Sequence, residues 1–155
     1  MELKQKQKFI LDAAFTASSG GVAPFLTHLD LSHNLLTVIP AELKQITNLQ
    51  YFNVSHNQLK SLPINIGLYR NLKFLDVSYN ELRALPSSFA ELRNHKTNEI
   101  KLAELHLQGN DLECPPKRIV KQGIPAIIDF FAELLEGEDE TCKSVSICCV
   151  GESKT

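Results

Sequence analysis

Four of the five histidines are placed where they could supply ligands or transfer protons: His28, His33, His56 and His106 lie at outward strand positions of a repeat. His28, Asp30 and His33 fall in one segment, and His56 falls in the next. Imidazole and carboxylate groups bind zinc, but a zinc site also needs converging geometry and supporting hydrogen bonds that spacing does not supply. We therefore favour a polar recognition surface, and we expect no metal and no cofactor.

The tail offers a second candidate for chemistry, in the segment VSICCVGESKT. It resembles, weakly, the strand and glycine of a phosphate loop. A phosphate loop needs G-x-x-x-x-G-K-[ST], whose backbone amides wrap around the phosphates, whereas Gly151 is followed directly by Glu152 and Ser153. Because the chain also has no H-E-x-x-H motif and no nucleophile beside a base, we expect no enzymatic activity.

Composition places these residues in one domain with a sizeable core. The chain has 155 residues, of which 43% are hydrophobic and 22% charged. A net charge of −2 and scattered Lys and Arg leave no basic face for nucleic acid. No apolar run approaches the roughly 20 residues that cross a bilayer. We expect neither a nucleic-acid partner nor a membrane span.

Cysteine usage and the N-terminus bear on the compartment. Cys142, Cys148 and Cys149 crowd the tail, Cys114 stands alone, and no C-x-x-C pair occurs. This pattern favours reduced thiols and a cytoplasmic location. Lysines before the stretch 9–11 resemble a signal peptide, but Asp12 interrupts that stretch at once. We interpret the N-terminus as an amphipathic capping helix.

The chain repeats itself four times. The aligned segments read LTHLDLSHN, LQYFNVSHN, LKFLDVSYN and LAELHLQGN, and they end at Asn34, Asn57, Asn80 and Asn110. A leucine follows each asparagine by two residues and a proline by six. Apolar residues alternate with outward ones before each asparagine, which predicts a short strand with one buried face. One unit cannot bury its own apolar edge, so neighbouring units must stack.

Each repeated residue type has a physical role. The asparagine amide suits a turn because it can pair with backbone groups that have left the strand. The proline fixes the backbone where an outer segment begins. Within the outer segments, apolar pairs at helical spacing should face the core. These pairs are Leu43 with Ile46, Ile66 with Tyr69, and Phe89 with Leu92.

The pattern L-x-x-L-x-L-x-x-N-x-L-x-x-L-P resembles the leucine-rich repeat, in its intracellular 23-residue form. It is similar to the repeats of Ras-binding leucine-rich-repeat scaffolds and of Roco GTPases. The resemblance implies an α/β solenoid of about four repeats, with a parallel sheet on its concave face and helical caps at both ends. It also implies a protein-binding scaffold in intracellular signalling.

The flanks complete the predicted organisation. An N-terminal helical cap should occupy residues 1–25, four repeats 26–116, a C-terminal helical cap 117–137 and a flexible tail 138–155. The third repeat carries an insertion near 94–101, which we interpret as a tolerated surface extension, with a binding loop as the alternative. In the C-terminal cap, a stripe should cover the last repeat, formed by Ile124, Ile127, Ile128, Phe131 and Leu135.

Outward strand positions form the candidate site, because the repeat does not need their side chains for its core. Tyr51 and Phe74 are equivalent residues of adjacent repeats, as are His56 and Tyr79, so we predict an aromatic stripe beside an acidic one. Exposed aromatics on a rigid sheet are typical of interfaces. The predicted partner-binding residues are His28, Asp30, His33, Tyr51, Asn53, His56, Phe74, Asp76, Tyr79, Glu104 and His106, with Ser32, Ser55, Ser78 and Gln108 also facing outward.

This surface has three acids and no Lys or Arg, which favours a protein partner with basic groups around an apolar centre. A small GTPase fits the resemblance, and we expect the chain itself to be a monomer. Two alternatives remain. Tyr51 and Phe74 could merely shield the sheet, or the chain could be the regulatory repeat segment of a Roco-type GTPase or another enzyme whose catalytic domain is absent from it.

Overall fold

Four short parallel strands, one from each repeat, form a single sheet. The computed structural model describes residues 26–39, 43 and 46–136. The strands are β1 (His28–Asp30), β2 (Tyr51–Asn53), β3 (Phe74–Asp76) and β4 (Glu104–His106), and they neighbour one another in chain order. The register is constant, so equivalent residues of successive repeats lie side by side. The predicted α/β solenoid with a four-stranded parallel sheet is confirmed.

The core lies behind one face of this sheet. The inward side chains of the two central repeats, Phe52, Val54, Leu75 and Val77, are completely buried. Their equivalents in the outer repeats are only partly buried, although they pack against the same core; these are Leu29, Leu31, Leu105 and Leu107. A central repeat is covered on both sides, whereas each terminal repeat has a neighbouring repeat on one side.

The outer segments begin directly after the prolines, as predicted. The 3-10 helix Ile64–Leu68 follows Pro63 and the 3-10 helix Ser87–Leu92 follows Pro86, and both prolines have extended backbone angles. Both segments are short, as is usual for 3-10 helices that serve as connections. All six predicted inward side chains are buried: Leu43, Ile46, Ile66, Tyr69, Phe89 and Leu92.

Tyr69 joins the first two outer segments. Its ring is buried edge-on to Phe52, and its hydroxyl donates a 2.8 Å hydrogen bond to the carbonyl of Leu43. Burial raises the pKa of Tyr69 to about 12. The phenol therefore keeps its proton, and hence this hydrogen bond, throughout the physiological pH range.

Gly67 lets the two 3-10 helices approach closely. A Cβ atom at this position would lie 2.1 Å from the carbonyl oxygen of Ser88, which is a backbone atom and cannot rotate away. We expect Gly67→Ala to lower the free energy of unfolding by about 1–2 kcal/mol, because overpacking outweighs the smaller entropy of the unfolded alanine chain. Urea denaturation measures this, with the exposed neighbour variant Leu68→Ala as the control. Equal stability of the two variants would contradict the close approach.

The asparagines of the second, third and fourth repeats tie their turns to the preceding repeat. The Nδ2 of Asn57 donates to the carbonyls of Val54, 3.0 Å away, and of Leu31 in the previous repeat, 2.9 Å away. Its Oδ1 accepts the backbone N–H of Leu36 at 2.9 Å. The predicted use of these amides for turn backbone is confirmed. The asparagines whose side-chain amides bind turn carbonyls are Asn34, Asn57, Asn80 and Asn110.

Two helices follow the last repeat, α1 (Lys117–Val120) and α2 (Ile124–Glu136), and they pack against each other. The helix α2 lies on the 3-10 helix Ser87–Leu92, where the ring centroids of Phe131 and Phe89 are 6.3 Å apart. Ile127, Ile128 and Phe131 are buried as predicted. The prediction for Leu135 was wrong, since its side chain is 61% exposed. It lies in the last turn of α2, which extends beyond the core.

The insertion at 94–101 forms a closed surface loop. Its ends are joined by an antiparallel bridge between Arg93 and Ile100, and the N–H of Asn94 donates to the carbonyl of Glu99 at 2.9 Å. The guanidinium of Arg93 bonds the amide oxygen of Asn98 within the loop and the carboxylate of Asp129 on α2. The loop is thereby attached to the helix α2, although its tip is exposed.

Two of the predicted regions, the N-terminal cap at 1–25 and the tail at 138–155, lie outside the described residues. Within the residues that are described, no helix is long and apolar enough to cross a membrane.

Candidate protein-binding surface

The face of the sheet opposite the core carries the predicted site residues in three rows that cross the strands. We call this surface the open sheet face. The constant register aligns His28, Tyr51, Phe74 and Glu104 in one row, and Asp30, Asn53, Asp76 and His106 in the next. A third row lies just beyond the strand ends, formed by His33, His56, Tyr79 and Gly109.

The first row is a stack of rings. The centroids of Tyr51 and Phe74 are 4.4 Å apart and their planes differ by 5°, while His28 stacks on Tyr51 at 5.7 Å. The ring of His106, from the second row, completes the series with a tilted contact to Phe74 at 5.4 Å. Strands in a sheet lie about 4.8 Å apart, so planar rings at equivalent positions stack without bending the backbone. The predicted aromatic stripe is present.

The third row is also a stack, but its residues are not in the strands. His33, His56 and Tyr79 have φ angles of 55°, 54° and 52°, in the left-handed region. The prediction that His33 and His56 occupy strand positions was wrong. In an uninterrupted strand, residues three or five positions apart would face opposite sides of the sheet. A left-handed residue breaks this alternation, so these rings face the same side as the outward strand residues three and five positions earlier. His33 stacks on His56 at 4.3 Å and His56 on Tyr79 at 4.4 Å.

Inter-repeat hydrogen bonds hold these turns in their unfavourable conformation. The N–H of His33 donates to the carbonyl of Ser55, and that of His56 to the carbonyl of Ser78, both at 3.0 Å. A left-handed non-glycine residue costs of order 1 kcal/mol, and it persists where the surroundings determine it. The asparagine that follows each of these residues adds its own bonds to the same turn. The rings of the third row are therefore held on a rigid support.

The polar row between the two stacks is partly structural. One side-chain oxygen of Asp30, Asn53 and Asp76 accepts the N–H of the serine two residues later, at 2.8–3.0 Å. The hydroxyls of Ser55 and Ser78 also donate to Asn53 and Asp76. Both serines are buried, so the prediction that they face outward was wrong. The three acceptors shape the turns through one oxygen and present the rest of the side chain on the open sheet face.

The carboxylates of the open sheet face give it negative charge. Partial burial raises the pKa of Asp30, but hydrogen bonds from Ser32 and Asn53 and the charge of His33 outweigh it, so the pKa is lowered overall. Asp30 is therefore ionised throughout the physiological range. On β4, the Oε2 of Glu104 lies 3.6 Å from the Nε2 of His106.

The histidines of the open sheet face do not converge on a common point. His33 and His56 lie ring on ring, an arrangement that directs their nitrogens sideways and not toward one another. Within the described ranges, no group of three His, Cys, Asp or Glu side chains could hold a metal ion. The arrangement can offer flat rings, imidazole nitrogens and carboxylates to a macromolecular surface.

One residue of this surface was missed by sequence reasoning. Gly109 closes the third row, and a Cβ atom there would lie 2.5 Å from the ring carbon Cδ1 of Tyr79. Its φ of 72° is also in the left-handed region. The available signal was the replacement of an aromatic or imidazole residue by glycine before the fourth asparagine. Because Gly109 has no side chain, one face of the Tyr79 ring can lie against the backbone. The side chain of Tyr79 is 51% exposed.

Comparison with known proteins agrees with this geometry. Two family models match the chain, "Leucine Rich repeats (2 copies)" over residues 24–67 and "Leucine Rich Repeat" over residues 71–92. A solved leucine-rich-repeat protein of Leptospira interrogans is 31% identical over 65% of this chain, with a TM-score of 0.55. This chain covers 24% of the length of that protein. No curated protein matches the chain.

The repeats of this chain therefore match the leucine-rich-repeat family over residues 24–67 and 71–92, and the fold is that of a leucine-rich-repeat solenoid, as the asparagine and leucine spacing predicted. Its open sheet face corresponds to the concave face of such solenoids. Leucine-rich-repeat domains generally mediate protein–protein interactions.

Proposed function

We propose that this protein is an interaction scaffold that binds one protein partner through the open sheet face. The observation that carries the proposal is the pair of ring stacks, His28–Tyr51–Phe74 and His33–His56–Tyr79, on a surface whose backbone is rigid. Stacked rings have already lost rotamer freedom, so binding does not have to order them. Tyrosine is enriched among the residues that dominate interface energies.

Charge defines the kind of partner. Of the eleven predicted binding residues, Asp30, Asp76 and Glu104 are acidic and none is Lys or Arg. The acids lie between or beside the ring stacks, so a complementary surface would bring basic groups around an apolar centre. A small GTPase is a suitable test partner, because the repeat pattern resembles Ras-binding scaffolds. The proposal includes a cytoplasmic, monomeric protein acting in signalling.

The test replaces three rings of the two stacks singly by alanine, as Tyr51→Ala, Phe74→Ala and Tyr79→Ala. Proteins captured from cell extract by the wild-type chain are identified by mass spectrometry, purified and titrated against each variant. We expect the Kd to rise at least tenfold for one or more variants, which corresponds to hot-spot losses of about 1.4 kcal/mol or more. Circular dichroism and urea denaturation check that each variant is folded.

The chain offers a matched control away from this face. Ile64 is 64% exposed on an outer segment, so Ile64→Ala removes exposed apolar surface without touching the ring stacks. We expect unchanged Kd for that variant. Full binding by all three ring variants would contradict the proposal and would support the alternative that the rings only shield the sheet. The insertion loop and the outer face would then be tested in turn.

A regulatory role within a larger Roco-type enzyme is the second function that the repeat resemblance suggests. It differs from the scaffold in its partner, which would be a catalytic domain of the same polypeptide. The purified chain would be titrated with a GTPase domain encoded in the same reading frame. Binding to that domain would support the regulatory role, whereas a scaffold would bind a separate protein instead.

A further inference from the structure

An apolar pocket opens at the C-terminal end of the solenoid, with no residue of the ring stacks in its wall. Its volume is about 410 Å³, and it lies between β4 and the helices α1 and α2. Sites for small molecules occupy roughly 300–1,000 Å³, so this pocket is large enough for a small ligand. The apolar side chains that line it are Leu105, Leu107, Leu112, Val120, Ile124 and Ile127.

The pocket exposes apolar surface that the other repeats bury. Leu105 and Leu107 are half-buried, whereas their equivalents Leu75 and Val77 in the third repeat are fully buried. The fourth repeat covers the third, but among the described residues no further strand follows β4. The helix α2 packs on the outer segment of the third repeat and leaves the strand side of the fourth open. An aliphatic ligand would gain free energy by removing this concave surface from water.

The polar part of the pocket wall is basic. Lys117 begins α1, Lys121 follows its last residue, and both side chains are exposed at the pocket. Asn110 also lines the pocket, but its amide is bonded within its own turn and to the preceding repeat. None of the described residues that line the pocket is acidic or aromatic. The wall therefore favours an anion over a cation, and it offers no ring on which a flat ligand could stack.

The two lysines are close enough in sequence to share one anion. Residues four apart on a helix are neighbours, and two like charges at this spacing repel each other. Within the part of the chain that the structure describes, neither Lys117 nor Lys121 forms an ion pair. A carboxylate at the mouth of the pocket would relieve this repulsion and accept charge-assisted hydrogen bonds from both ammonium groups.

We propose that this pocket binds a free aliphatic carboxylate, the anion of a medium-chain fatty acid. The hydrocarbon chain lies against Leu105 and Leu107, and the carboxylate lies between Lys117 and Lys121. None of the eleven predicted partner-binding residues lines the pocket, and its charge is opposite to that of the open sheet face. The two sites therefore select different ligands, and this proposal does not depend on a protein partner.

Titration of the full, isotopically labelled chain with octanoate tests the site. The backbone amides of Leu107, Gly123 and Ile124 report on the pocket in nuclear magnetic resonance spectra. We expect saturable shifts of these amides and a Kd at least about tenfold lower for octanoate than for octan-1-ol, which has the same chain length and no charge. Octyltrimethylammonium, with the opposite charge, should bind more weakly than either. Equal Kd values for octanoate and octan-1-ol would overturn the proposal.

Variants separate the two parts of the ligand. The double variant Lys117→Gln, Lys121→Gln should raise the Kd of octanoate at least about tenfold and leave that of octan-1-ol unchanged. The control Lys60→Gln, Lys96→Gln removes two exposed charges that do not line this pocket, and both Kd values should stay the same. Val120→Asp, which places a charge in the apolar wall, should weaken both ligands, with circular dichroism as the check on folding.

Two results would contradict this assignment. One is octanoate that binds the Lys117→Gln, Lys121→Gln variant as tightly as the wild type, since the lysines would then have no part in recognition. The other is wild-type protein whose pocket amides do not respond to octanoate, which is the result expected if another part of the chain or a second copy fills the pocket.

Discussion

Replacement of Phe131 by alanine is expected to lower the free energy of unfolding by about 3–5 kcal/mol, the range for a buried phenylalanine. The Phe131 side chain is fully buried, with its ring near those of Phe89 and Phe130. It connects the cap helix α2 to the outer segment of the third repeat. Small domains are stable by only about 5–15 kcal/mol, so the loss is a large share of the total.

Urea denaturation followed by circular dichroism measures this effect. The matched control is Leu135→Ala on the same helix, whose side chain is exposed, and we expect it to change stability by less than about 0.5 kcal/mol. Solenoid repeats are coupled only to their neighbours, so loss of the cap should loosen the fourth and third repeats first. A Phe131→Ala protein that unfolds at the wild-type urea concentration would show that α2 does not stabilise the array.

The second large effect is expected for Asn57→Ala. Asn57 Nδ2 donates to the carbonyls of Leu31, Val54 and Ser55. Each of these carbonyls keeps another hydrogen-bond donor in the variant. The backbone N–H of Leu36 does not, because Asn57 Oδ1 is its only acceptor among the described residues. An orphaned buried donor costs about 1–3 kcal/mol, and with the lost amide bonds we expect a total of about 3 kcal/mol.

Two measurements check this assignment. Urea denaturation gives the stability loss, with the adjacent exposed variant Gln58→Ala as a control that should change little. Amide hydrogen exchange reports the particular bond, since the Leu36 amide should lose protection in Asn57→Ala more than amides of the third repeat do. Unchanged exchange at Leu36 would mean that the side chain of Asn57 does not join the first two repeats.

The stability and binding roles meet at the strand ends. The same short turns that hold the asparagines also present His33, His56 and Tyr79 in left-handed conformations. A change such as Asn80→Ala would therefore disturb both the fold and the ring stack beside it. Variants of the rings themselves separate the two roles, because their side chains lie outside the core.

The sequence alone was sufficient for the repeat, its phase and most of its core. Strand alternation and helical spacing are local patterns, and burial of Phe52, Leu75 and Ile127 follows from them once repeats stack. The roles of asparagine and proline could be predicted for the same reason, since each acts on backbone within a few residues. The equivalence of Tyr51 and Phe74 also followed from the period.

Only the tertiary structure decided how the side chains of different repeats meet. Left-handed turns at His33 and His56 depend on hydrogen bonds to the next repeat, about 23 residues away along the chain, so no local pattern showed them. The burial of Ser55 likewise results from a turn held by Asn53. The pocket beside Leu107 exists because the cap helices cover the outer segment and not the strand side, which is a property of packing between elements.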